Sequence, residues 1–109
     1  MNQRLYSQLE HLAIRGHTAH YEKVANQIGY GHRNKRFYEE LGQCSQHSLK
    51  NHGFMISTVV VRKNGNEPGP GYFWLARHLG LASGHGKFSK GRFVQKQLDL
   101  ISLHYRNKI

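Results

Sequence analysis

Residues 56–72 read ISTVVVRKNGNEPGPGY, and the interpretation of this stretch decides the fold class. Ile56, Thr58, Val59, Val60 and Val61 are β-branched, and their stiff side chains favour an extended backbone. The run then turns basic at Arg62 and Lys63 and continues through Asn64 into a Gly/Pro-punctuated loop ending at Gly71. A short strand feeding a basic loop, inside a chain otherwise patterned as helix, predicts a mainly α domain with a small β-wing. The expected fold is a single winged helix-turn-helix-like domain.

Working outward, Leu5, Leu9 and Leu12, widened by Tyr6 and Ala13, mark one buried face of a helix over 2–15 that Gly16 ends. Thr18 then stands as a cap for a second helix reaching about Ile28, with Tyr21, Val24 and Ala25 inward. Gly29 to Gly31 break the chain, and HRNKRFYEELG from His32 predicts a third helix with Phe37 and Leu41 buried. Gly42 interrupts it, a weaker helical continuation runs to Asn51, and Gly53 closes it. Beyond the loop, 72–79 predicts a short helix stopped by Gly80. Residues 81–91, with three glycines, predict a mobile basic loop. Phe93, Val94, Leu98, Ile101 and Tyr105 predict a C-terminal helix over about 89–106 packing back on the core.

Charge narrows the function. Sixteen Lys and Arg against six Asp and Glu leave +10, an imbalance that attracts polyanions through phosphate neutralisation and counterion release. The hydrophobic fraction of 38% still supports a core. One cysteine, Cys44, excludes an internal disulfide and a multi-Cys zinc site. No apolar run approaches a membrane span, and the polar start is not a signal peptide, so the expected location is cytoplasmic, nucleoid-associated if DNA is bound.

The helices at 18–28 and 32–41, joined by a Gly-containing turn, have a helix-turn-helix layout. Arg33, Asn34, Lys35 and Arg36 crowd the start of the second helix against its own macrodipole, and docking to phosphates would explain them. Arg and Asn also make bidentate base contacts. Arg62, Lys63 and Asn64 on the wing, with Lys87, Lys90 and Arg92 around the glycine loop, would clamp a backbone. Tyr30 and Tyr38 are candidates for base stacking, and so, less clearly, is Trp74. The nine histidines form no HExxH spacing, and no aspartate precedes Asp99, so no metal or cofactor is assigned.

YEKVANQIGYGHRNKRFYEELG over 21–42 resembles the helix-turn-helix of the alkylguanine DNA alkyltransferases and their alkyltransferase-like relatives. ISTVVVRKNGNEPGPGY is similar to the segment that follows, where a Pro-Cys-His-Arg motif leads into Val-Val-x-x-x-Gly and Gly-Gly-Tyr. The resemblance covers about residues 5–72. It implies DNA binding, with Lys35 or Arg36 in the place of the recognition-helix arginine that props the duplex open while a base is flipped out. It also puts Ile56, Ser57, Thr58 and Val59 where the family has Pro, Cys, His and Arg. A serine with no adjacent base is a poor nucleophile, so alkyl transfer is not expected. PGPGYFWLARHLG at 68–80 resembles a segment of an uncharacterised bacterial domain with no assigned activity.

The resulting expectation is a non-enzymatic binder of nucleic acid, with duplex DNA preferred over RNA. The alternative is a small interaction or inhibitor protein, of the kind found in phages, bacterial defence systems or ribonucleoprotein assemblies, whose basic surface meets an acidic protein or RNA.

Overall fold

In the computed structural model, residues 1–31, 34–81 and 87–106 are described, the side chains at 87–89 excepted. The element order is α1 (Gln3–Arg15), β1 (Ala19–His20), α2 (Tyr21–Gln27), α3 (Lys35–His52), a 3-10 turn (Ile56–Val59), β2 (Val60–Val61), α4 (Pro70–His78) and α5 (Lys87–Tyr105). The protein is mainly helical, with one two-stranded sheet.

In α1 the predicted Gly16 stop is observed, and the structure adds an N-terminal cap. Asn2 caps it by accepting the Leu5 N–H through Oδ1 at 3.0 Å, and Gly16 ends it with φ 68°, a left-handed conformation that costs glycine little. Leu5 and Leu9 are fully buried, each such side chain contributing roughly 1.5–3 kcal/mol.

Several expectations are corrected. Thr18 does not cap α2. The chain at 19–20 is instead extended and pairs in parallel with β2, Ala19 opposite Val60 and His20 opposite Val61, and His20 occupies the cap position without a side-chain bond. The connection from α2 to α3 runs over seven residues, 28–34, longer than the turn of three or four in a compact helix-turn-helix. Gly42 does not interrupt α3, which is continuous from Lys35 to His52. The energetic cost of one helix-interior glycine, about 1 kcal/mol, is small beside the burial of Phe37, Leu41 and Cys44 along the same helix.

The largest correction falls on residues 56–59, which form a 3-10 turn and not a strand. The strand is confined to Val60 and Val61. Side chains, rather than a neighbouring strand, satisfy this buried backbone. Gln97 Oε1 accepts the Met55 N–H at 2.8 Å, Ser48 Oγ accepts the Ile56 N–H at 2.9 Å, and Ser45 Oγ accepts the Ser57 N–H at 3.0 Å. Thr58 folds back with both its N–H and its hydroxyl donating to the Met55 carbonyl, at 3.2 and 2.6 Å. With those polar groups satisfied locally, the apolar side chains are free to pack on three sides, and the turn is the hub that α1, α3 and α5 surround.

The segment after β2 is not a β-wing. Residues 62–69 form a compact turn closed by Arg62 N–H donating to the Glu67 carbonyl at 2.9 Å, and no residue in it is a strand residue. The glycine loop is shorter than expected, since α5 already begins at Lys87. Residues 82–86 of that loop lie outside the described residues. Along α5, Gln97, Ile101 and Tyr105 are buried, and Leu98 is only half-buried.

Candidate nucleic-acid interface

Among the described residues, the sequence-predicted basic residues are spread over α3, the 62–69 turn and α5. Arg33 lies outside the described residues. Asn34 is the exposed N-cap of α3, its Oδ1 accepting the Arg36 N–H at 2.8 Å. Arg36 is 75% exposed, with Nε 3.4 Å from Glu40 Oε1. Tyr30, expected to be exposed, is half-buried against the core and donates its hydroxyl to Glu40 at 3.1 Å.

Glu40 is the centre of a three-element junction. Asn2 Nδ2, from the cap of α1, donates to its other oxygen at 2.9 Å. That hydrogen bond, followed by those from Tyr30 and Arg36, holds the Glu40 carboxyl below the usual carboxylate range. Asn2 therefore does two jobs, capping α1 and tying it to α3.

On the 62–69 turn, Arg62 donates to Glu67 at 2.9 Å and Lys63 to Glu22 at 2.8 Å. All four side chains are at least 41% exposed, which limits each pair to about 0–1 kcal/mol and leaves the cations exchangeable. Asn64 is exposed at the tip. Lys90 lies on α5, not on a loop, with Nζ 5.1 Å from the centroid of the Phe73 ring. Arg92 is exposed on the same helix. The side chain of Lys87 lies outside what is described.

What the tertiary structure does bring together is a groove of about 760 Å³ between α3 and the start of α4. One wall is a stripe of α3 beginning at Lys35 and continuing through Tyr38, Glu39, Gly42, Gln43 and Gln46. The opposite wall carries Trp74, Leu75 and the Gly69–Gly71 backbone, with Arg62 at the rim and Ser57 in the floor. Two sequence-predicted cations from different segments, Lys35 and Arg62, thus line the same groove. So do two large exposed rings, Tyr38 at 46% and Trp74 at 58% exposure.

The groove walls are built from short-range chemistry. Tyr21 of α2 packs its ring on Tyr38 at 5.6 Å and accepts the Gly69 N–H at 2.9 Å, anchoring the start of α4, where Pro70 sits in the first turn. Burial raises the Tyr21 phenol, keeping it neutral near pH 7. Beneath, Tyr72 shares a 2.6 Å hydrogen bond with Thr58 Oγ1, and its phenol is also raised by burial. Trp74 stacks on His78, ring centroids 4.8 Å apart and planes 10° apart.

Ser57 is 7% exposed and its Oγ lies 2.5 Å from Ser45 Oγ, so the hydroxyl is engaged with another hydroxyl. Cys44 is fully buried, and burial, with Glu40 nearby, pushes its thiol up to about 12. Two of the histidines, His47 and His52, make ring contacts. His47 meets Tyr6 edge-on at 5.2 Å, and His52 lies 4.3 Å from His104.

The groove was missed in the sequence because the α3 wall depends on the helix continuing past Gly42. Once it does, 35, 38, 39, 42, 43 and 46 fall on one face at the i, i+3, i+4 spacing. No known family model, no curated protein and no solved structure matches this chain. Among the described residues, no helix is long and apolar enough to cross a membrane.

Proposed function

We propose that this chain is a non-enzymatic nucleic-acid-binding protein that seats a phosphate backbone along the rim of the α3–α4 groove, with DNA preferred over RNA. The observation that carries the reading is the presence of Lys35 and Arg62 on one groove, in a chain of net charge +10. Exposed Arg36, next to Lys35, extends the cationic edge. Glu40 keeps its bonds from Asn2 and Tyr30 when Arg36 turns to a phosphate, so that exchange leaves no bare carboxylate. Within this reading the alkyltransferase-like resemblance describes a binder without an alkyl acceptor, since Ser57 stands in the cysteine's place with its hydroxyl held by Ser45.

The test is the salt dependence of binding to a labelled DNA. Each phosphate neutralised contributes a slope of about −0.9 in log K against log salt, so Lys35→Ala with Arg62→Ala should flatten the slope by roughly two. An affinity that ignores salt, or a slope unchanged in the double variant, overturns the proposal.

A second reading, a small interaction protein, is favoured by one observation: Arg36, Arg62 and Lys63 each already face an acid of this chain, while Leu41 and Leu75 make part of the groove apolar. Recovery of a bound protein that survives nuclease treatment, together with loss of that binding in Trp74→Ala, would establish it in place of the first.

A further inference from the structure

We infer that the α3–α4 groove takes a short run of unpaired nucleotides, so that the protein holds single strands in preference to duplex; this rests on the nucleic-acid reading above and names its ligand. The starting point is two exposed rings on the groove. Among the described residues, Trp74 and Tyr38 are the large aromatics left most exposed, and both line the same groove. His78 lies parallel to one face of the indole, and the Trp74 side chain is still 58% exposed, with surface left for a planar partner. In a duplex the faces of the bases are stacked on one another and covered, and only edges and backbone are presented. Stacking on an indole requires a base that is not paired.

The dimensions agree. The α3 wall from Lys35 to Gln46 spans eleven residue steps, about 16 Å at 1.5 Å per residue, and the groove lies open along it. That is a trough for a short run of chain and not a pocket closed around one base. Its polar groups are of the right kinds. Gln43 and Gln46 carry both donors and acceptors for base edges, and Glu39 accepts from an exocyclic amine of the kind cytosine presents. Lys35 and Arg62 at the rim complement the strand's phosphates, and Glu67 engages only one of the guanidinium's donors.

Trp74 is the only tryptophan, so its emission reports on the groove directly. The experiment titrates the protein with a short mixed-sequence DNA strand and, separately, with the same strand paired to its complement. Emission follows the wild type, and anisotropy of a labelled strand follows all variants. The single strand should quench Trp74 and bind at least about tenfold more tightly than the duplex. Trp74→Ala should weaken strand binding about 5- to 150-fold, the range of one lost stacking contact, and Trp74→Phe should retain most of the affinity. The side chain is largely exposed, and the Phe variant controls for any disturbance of α4. Duplex bound as tightly as single strand, or strand affinity unchanged in Trp74→Ala, overturns this inference while leaving the nucleic-acid reading standing. Failure of both polymers to bind at low salt overturns both.

Discussion

Replacing Ser48 by alanine tests whether side chains really substitute for a strand partner at the centre of the fold. Ser48 is fully buried on α3, donates its hydroxyl to the Phe54 carbonyl at 2.7 Å and accepts the Ile56 N–H at 2.9 Å. The substitution removes one oxygen and nothing else, leaving a buried N–H and a buried carbonyl short of a partner. At about 1–3 kcal/mol for each stranded group, partly offset by no longer burying a hydroxyl, the expected loss is about 2–3 kcal/mol. For a domain of this size 1 kcal/mol moves Tm by roughly 4–6 °C, so the midpoint should fall by about 8–18 °C. Calorimetry or thermal circular dichroism measures it, with Ser102→Ala, on the exposed face of α5, as the control expected within about 0.5 kcal/mol of wild type. A Ser48→Ala variant as stable as that control would refute the account of residues 54–58, and with it the claim that the groove floor at Ser57 is held in place from α3.

Gly42→Ala should stabilise the protein by about 0.5–1 kcal/mol, because the new methyl would meet Leu75 Cδ2 at 3.5 Å, an ordinary contact, and the helix backbone loses less entropy on folding; denaturant unfolding that shows a loss would mean that α3 is not continuous there. Glu40→Gln should cost most stability near neutral pH. The Glu40 carboxyl is depressed in the folded state, so its contribution is full above the ordinary carboxylate value near about 4.3 and is lost as pH falls through the depressed folded value. The gap between wild type and variant should therefore narrow on acidification, and a gap that stays constant from pH 7 into the acid limb would exclude the Asn2–Tyr30–Arg36 junction as its source.

Helix ends and apolar stripes were legible from residue order because their causes are local. Gly16 and Gly53 stop helices by adopting positive φ, and Leu5 with Leu9, or Phe37 with Leu41, share a face by spacing alone. The basic character was equally plain. The largest misreading comes from interactions between distant positions. Residues 56–59 have β-branched side chains suited to a strand, yet Ser45, Ser48 and Gln97 supply the hydrogen bonds that a strand neighbour would have supplied, and no short-range pattern reveals that. The capping role of Asn34 was likewise not read from the sequence, because it depends on where α3 starts.

For the candidate site the division is the same. Residue types alone determined that this chain carries an excess of cations and a few aromatics able to meet nucleic acid. Only the tertiary structure decided which of them share a surface. It separated Lys90 and Arg92 onto α5, turned Tyr30 inward to Glu40, and brought Lys35, Tyr38, Arg62 and Trp74 to one groove. That outcome depends on α3 continuing through Gly42 and on Tyr21 anchoring Gly69 across 48 positions of sequence, and contacts at that separation are set by packing rather than by local preference.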